Sequence, residues 1–370
     1  MPLMSPLRRW LAPVVVAALM VPSVGMLAMK PKAISLTESR SLATAPPVPR
    51  ATADWLKLPR RLDTFVNDHF AFRDDLLDVA GKVRWKLGQR SASGVVVQGA
   101  AGWLLLRQGL LRSIGAETDD GVIADYAAFV CGMGTRMKQR NIPFLFALIP
   151  GTAAIYPESL PAWAHPSEGR NAYDLLESKT RACGVTTVDL RKAMRAAKDT
   201  GPLYRKLDTH WTPRGALIGY NLMVSALGRP DWTILPNEAE WLPEVAPDDD
   251  LARLTGVARP PPEYQDAPHM VAFKAAPTAK QPISGLKDDP EQPAFIAGAS
   301  GAGPTVLVVG DSYTRTFMPP YFAPFVGRLA WIHHRQCGVD PAVFDKVKPD
   351  YVVLAPAERY AECKNAPPRP

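Results

Sequence analysis

The sequence is short of the features that assign a protein at a glance. Its 370 residues hold only 4 Cys and 6 His, with no C-x-x-C pair and no block of like charge. Without C-x-x-C, zinc-ribbon and thioredoxin-type motifs drop out. Lys plus Arg number 43 and Asp plus Glu 36, a net charge of +7 spread along the chain. No basic run with interleaved aromatics occurs, so nothing points to a nucleic-acid partner. Past residue 30 there is no run of 18 apolar residues, and no later segment is expected to cross a membrane. No internal repeat is evident. At 47% hydrophobic and 21% charged residues the chain is too apolar for wholesale disorder, and it lacks the periodicity of collagen or a coiled coil. Proline is in excess: 38 residues, about twice the usual roughly 5%. That predicts long connections rather than additional elements.

Arg8 and Arg9 precede an apolar run from Leu11 to Met29, and Lys30 and Lys32 follow it. As a helix this run would measure about 29 Å, close to the roughly 30 Å hydrocarbon core of a bilayer. Residues 1–32 are therefore expected to anchor the chain in the inner membrane and place the rest in the periplasm. Ser23-Val24-Gly25 offers the alternative, a cleaved signal that releases a soluble periplasmic protein. Four cysteines suit an oxidising compartment and allow three pairings. Cys337 and Cys363 each follow a predicted strand, whereas Cys131 and Cys183 lie on or near predicted helices.

Residues 33–59 are polar, rich in Ser, Thr, Ala and Pro, and read as a linker. Helical spacing of Leu62, Phe65, Val66, Phe70, Leu76, Leu77 and Val83 predicts one or two helices. Val95–Val97 and Trp103–Leu106 around a Gly/Ala turn predict a hairpin. Beyond it, continuous apolar strands (Phe144–Ile149, Val185–Leu190, Thr305–Val309, Leu329–Ile332, Tyr351–Leu354) alternate with helical segments near 122–137, 170–182, 212–226 and 341–347. Such strands are covered on both faces, so the expected fold class is α/β, a doubly wound, mostly parallel sheet. One domain is expected over residues 60–366. The Pro-rich stretch 260–304 interrupts it, as a surface loop or as a lid.

Two short motifs carry chemistry. Gly310-Asp311-Ser312 follows the strand Thr305–Val309, and ligands of open α/β sheets bind beyond the carboxyl ends of strands. A serine there can expose its hydroxyl beside backbone N–H groups, with those of Ser312 and Tyr313 as oxyanion donors. Asp208-Thr209-His210 places a carboxylate and an imidazole two residues apart, on one side of an extended segment. That supplies the orienter and base of a Ser-His-Asp relay. Each motif alone has a plainer reading, a turn bond or a helix cap. Thr212-Pro213 reads as the N-cap and first residue of the next helix. His333-His334 has no spaced third ligand, so neither metal nor cofactor is implied. Trp211 is either a platform for a sugar ring or a packing residue. Arg315 and Tyr313, just past the serine, are further contacts for substrate.

These residues resemble the SGNH-hydrolase-like domain of the alginate O-acetyltransferases of the AlgJ/AlgX type. Further segments share the resemblance: Phe65–Arg73, Gly99–Leu105, Ile149-Pro150 with Ile155–Glu158, and Asp350–Val353 with Glu358-Arg359. It spans about residues 60–360. It implies that Asp208, His210 and Ser312 form a triad in permuted chain order, serine last. It also implies an enzyme that acetylates an exopolysaccharide, with a multi-pass membrane protein supplying the acetyl group and other synthesis and export proteins as partners. Thr152 stands where many relatives carry a basic residue, in a position that would touch substrate. The sequence runs only a short way past the last expected strand, so no C-terminal carbohydrate-binding module is expected and the resemblance is closer to the single-domain anchored type. An exported carbohydrate acetylesterase and a non-catalytic glycan-binding assembly protein are the alternatives.

Overall fold

A computed structural model describes residues 10–11, 13–16, 20–21, 24–26, 31–32, 34–35, 40–87, 94–167, 169–246, 249–256, 263–269, 280–286, 292–298 and 303–363. Much of the apolar run Leu11–Met29 lies outside them. Among the described residues no helix is long and apolar enough to cross a membrane.

The chain divides into two compact units, residues 1–96 with 250–261, and residues 97–249 with 262–370. In the first, helix α1 (Thr52–His69) and helix α2 (Arg73–Lys86) follow one another. Helix α1 starts within the stretch expected to be linker. The Asp54 carboxylate accepts the N–H groups of Arg50 and Ala51 and so holds the start of the helix. Pro59 lies inside this helix, which is why the pattern appeared to begin later. Both helices fall in the first of these units.

The second unit is the α/β body. After the hairpin at Val96–Leu106 come helix α3 (Asp120–Gln139), strand β1 (Phe144–Phe146), helix α4 (Ala172–Ala182) and the two-residue strand β2 (Thr186–Thr187). Helix α5 (Pro213–Ala226) precedes the strands of the Pro-rich stretch, β3 (Gln281–Pro282) and β4 (Phe295–Gly298). Strand β5 (Thr305–Gly310), helix α6 (Ser312–Phe322), strand β6 (Arg328–His333), helix α7 (Ala342–Val347) and strand β7 (Tyr351–Ala355) complete it. The sheet order is β2-β1-β7-β5-β6-β4-β3. The five strands from β2 to β6 are parallel, and β4 and β3 add on antiparallel.

Alternation along the strands builds two cores. Leu145, Ala147, Ile149, Val306 and Val308 face one layer with Trp211, Tyr220 and Phe322. Phe146, Leu148, Leu307 and Val309 face the other with Tyr126, Val130, Leu176 and Phe344. All six residues of β5 are buried, as expected of a central strand covered on both sides.

The Pro-rich stretch is thus only partly the loop or lid expected of it. Phe295–Gly298 pairs with β6, register Phe295↔Trp331, and Gln281–Pro282 pairs outside it. Tyr264–His269 pairs antiparallel with Glu240–Val245. Proline is tolerated because β3 is an edge strand. Of the open cysteine pairings the structure adopts Cys131–Cys183 and Cys337–Cys363.

Candidate active site

Strand β5 ends at Gly310, between β6 and β7, and helix α6 begins two residues later. Only glycine fits at this turn. A Cβ on Gly310 would lie 2.1 Å from Thr314 Oγ1 and 3.0 Å from the Ala355 carbonyl oxygen. Asp311 is the N-cap, and its buried carboxylate accepts Tyr313 N–H at 3.0 Å and Ala357 N–H at 2.7 Å. It ties the helix start to the end of β7 and fixes Ser312 as the first helical residue. The Ser312 N–H has no intrahelical partner there. The Tyr313 N–H, expected as a second oxyanion donor, is occupied by Asp311.

The Asp208–His210 segment is a bent loop rather than an extended strand, closed by a bridge between Tyr204 and Trp211. The two side chains still meet. Asp208 Oδ1 accepts the His210 backbone N–H at 2.7 Å, and its distance to His210 Nδ1 is also 2.7 Å. Arg205 reaches the same oxygen at 2.8 Å, in an ion pair with both side chains buried. A carboxylate only accepts, so Nδ1 carries the imidazole proton and Nε2 is left as an acceptor. His210 Nε2 lies 2.7 Å from Ser312 Oγ, across 102 residues of sequence. Thr212 caps helix α5 by accepting Gly215 N–H, and Pro213 takes the first helical position, so His210 is held just ahead of a fixed element.

The contacts expected to meet substrate are placed differently. Trp211 is fully buried in the core, where its Nε1–H donates to the Tyr313 carbonyl at 3.4 Å. Its ring fills the space over Gly219, where a Cβ would lie 2.8 Å from it. It is a packing residue, not a sugar platform. Tyr313 is 2% exposed; its hydroxyl donates to the Thr209 carbonyl and its ring lies 4.7 Å from the His210 ring. It supports the histidine from beneath rather than facing solvent. Thr152 is buried in the first turn of the short helix Thr152–Ile155, and no hydrogen bond among the described residues joins it to the triad. Arg315 is half-buried on helix α6, three residues past Ser312. His334, one of the vicinal pair, is buried and accepts Gln336 N–H on Nδ1.

Sequence reasoning missed three supports: Arg205, the Asp311 carboxylate, and Glu358. Glu358 is buried and accepts Gly151 N–H at 2.9 Å, joining the loops after β1 and β7. Burial raises its pKa, against the opposing effects of the Gly151 N–H, Ser113 and two arginines. In the sequence Glu358 stands out only as part of the family-like Glu358-Arg359 pair just past the last strand.

The α/β body has a matching family. Residues 96–329 match the model for the SGNH hydrolase-like domain of the acetyltransferase AlgX. The chain belongs to this family. Among curated relatives, the "Probable alginate O-acetylase AlgJ" of Pseudomonas aeruginosa is 32% identical over 127 residues, 33% of this chain and 30% of that protein. The protein of the same name from Pseudomonas putida is 26% identical over 173 residues, 47% of this chain and 44% of that one. The matched stretches thus span less than half the length of these relatives. Two solved structures share the fold. The O-acetyltransferase domain of Pseudomonas putida AlgJ aligns with a TM-score of 0.50 at 19% identity, covering 73% of this chain and 93% of that one. Bacillus cereus PatB1 aligns with a TM-score of 0.55 at 14% identity, covering 73% and 98%. The SGNH hydrolase-like fold accounts for the mostly parallel sheet.

Proposed function

We propose that this chain is a polysaccharide O-acetyltransferase that works through an acetyl-Ser312 intermediate. The observation that carries the reading is the unbroken relay from Asp208 Oδ1 through His210 to Ser312 Oγ, both contacts at 2.7 Å. Ser312 Oγ attacks the carbonyl carbon of an acetyl donor while His210 Nε2 takes its proton. Asp208 holds the tautomer and stabilises the imidazolium, and Arg205 holds Asp208 in place through its 2.8 Å ion pair. The Ser312 N–H stabilises the oxyanion of the tetrahedral intermediate. As the intermediate collapses, the donor's leaving group departs with the proton from His210. A sugar hydroxyl then attacks acetyl-Ser312, passes its proton to His210, and leaves as the acetyl ester while Ser312 recovers its proton.

The acceptor is an exopolysaccharide, alginate or a similar polymer, as the names of the relatives suggest. The acetyl group reaches the periplasm through a multi-pass membrane protein, and other polysaccharide synthesis and export proteins act alongside. Residues 1–32 hold the enzyme at the inner membrane. A time course with a chromogenic acetyl ester, with and without an oligosaccharide acceptor, tests this. Transfer to sugar supports it; release to water alone makes the chain an acetylesterase; neither reaction leaves a binding protein. Ser312→Ala should lower turnover by on the order of 10⁴-fold, and retention of more than about a tenth of the rate would remove Ser312 from the mechanism.

A further inference from the structure

The loop Arg205–His210 carries both the carboxylate and the imidazole of the relay, yet it lies outside helix and strand. Peptide groups in such a segment need partners supplied from elsewhere. At its base the loop is closed by the bridge between Tyr204 and Trp211 and by Thr212 N–H donating to the Leu203 carbonyl at 2.9 Å. At its tip three elements hold it. Leu104 N–H, on the hairpin, donates to the Lys206 carbonyl at 2.8 Å. The Tyr313 hydroxyl donates to the Thr209 carbonyl. The third contact comes from one side chain, Glu263. One of its carboxylate oxygens accepts Lys206 N–H at 2.6 Å, and the other accepts Leu207 N–H at 3.1 Å. Asp208 is the next residue.

Glu263 stands at the end of the two-stranded ribbon Glu240–Val245 and Tyr264–His269, just ahead of Tyr264, which pairs with Val245. Its carbonyl accepts Ala246 N–H at 2.8 Å, so the ribbon fixes its backbone. The same ribbon meets the chain again past His210. Arg214, in the first turn of helix α5, lies 3.2 Å from Asp266 Oδ2 and sets its guanidinium carbon 4.1 Å from the centroid of the Trp241 ring. The relay loop is thus gripped on both sides by one element. The two grips are unequal. Arg214–Asp266 is a partly exposed ion pair, and such pairs contribute little. Glu263 makes charge-assisted bonds to backbone donors, which are shorter and stronger than neutral ones. Without it, two N–H groups beside Asp208 lose their acceptor and the loop tip is free to shift. His210 must stay within hydrogen-bond reach of Ser312 Oγ, and a misplacement of about 1 Å can cost on the order of 10²-fold in rate.

We propose that Glu263 is a positioning residue for the general base: by clamping the peptide groups ahead of Asp208 it holds Asp208 and His210 in line with Ser312. The proposal rests on the relay reading and adds a residue of the Pro-rich stretch that acts through the backbone rather than on the reacting atoms. The test measures hydrolysis of a chromogenic acetyl ester by full-length wild type, Glu263→Gln and Glu263→Ala, with melting temperature and amide hydrogen exchange on the same preparations. In Glu263→Ala, kcat should fall by about 10- to 100-fold, with KM within about twofold of wild type, because the clamp does not touch a small ester. Glu263→Gln keeps an acceptor oxygen for one of the two N–H groups, and its kcat should fall between the others. The amides of Lys206, Leu207 and His210 should exchange faster in both variants, while those of β5 keep wild-type protection. An unchanged kcat in Glu263→Ala overturns the proposal. So does a parallel loss of kcat, melting temperature and β5 protection, which would make Glu263 a general stabiliser. Should Glu263→Ala fail to fold, Glu263→Gln decides by the same measures. Ser312→Ala, run alongside, separates the two claims. If it hydrolyses the ester as fast as wild type, the relay reading has failed, and the clamp on the loop is decided by exchange alone. Faster exchange at Lys206 and Leu207 in the Glu263 variants then upholds the clamp, and unchanged exchange overturns it.

Discussion

Asp208 shows how much one buried residue can organise. Its fully buried carboxylate receives a guanidinium, a backbone N–H and an imidazole. Trp211, one residue past the base, invited a sugar-binding role from sequence, but its surroundings make it structural. Trp211→Ala should cost about 3–5 kcal/mol, and ester hydrolysis and transfer should fall together. Melting temperature measured with both rates checks this; selective loss of transfer would return Trp211 to the substrate. Glu358 gives a pH test. Its raised pKa means that the folded state holds the proton more tightly than the unfolded chain. Stability contributed here is present at low pH. It declines as pH climbs above the ordinary value of 4.5, until the folded pKa is passed. Glu358→Gln keeps an acceptor for the Gly151 N–H and removes the titration. Denaturant unfolding at pH 5 and pH 8 should show the variant gaining on wild type at the higher pH, and an equal difference at both values would contradict the assignment.

At the scale of elements, the turn from β5 into α6 is the most constrained feature of the site. Gly310→Ala would press a methyl group against Thr314 Oγ1 and the Ala355 carbonyl, and neither side can yield without moving Ser312 or β7. The expected outcome is a loss of at least ~1–3 kcal/mol and a drop in ester turnover larger than the stability loss explains. Thermal unfolding and kinetics on one preparation decide it. Helix α6 itself was not legible in the sequence. Pro319 and Pro320 lie inside it, and each removes an N–H that a helix normally uses. The Asp311 cap and the packing of Tyr313, Phe317, Met318 and Tyr321 into the core hold it regardless. The inserted strands were hidden for a similar reason. Strands of two and four residues carry little periodic signal; β3 also contains Pro282, and β4 depends on β6 far along the chain, Phe295 pairing with Trp331.

For the whole molecule, the anchor proposed for residues 1–32 predicts where the protein goes. Full-length protein should sediment with membranes, while residues 33–370 should stay in the aqueous fraction. A truncated protein found wholly with membranes would require another point of attachment.

The sequence by itself determined the layer architecture, because continuous apolar strands alternating with helical spacing leave few other arrangements. The relay proposed for Asp208, His210 and Ser312 was also legible there, since Asp-x-His ahead of a capped helix and Gly-Asp-Ser after a strand are local patterns written by neighbours. What surrounds those motifs was decided only by the tertiary structure. Sheet order brings β5 between β6 and β7 and closes 102 residues of sequence to a 2.7 Å contact. The same ordering buries Trp211 and Tyr313, occupies the Tyr313 N–H and sets Arg205 on Asp208. Burial, charge pairing and hydrogen-bond occupancy are properties of groups that meet in space from distant parts of the chain, and local periodicity carries no record of those meetings.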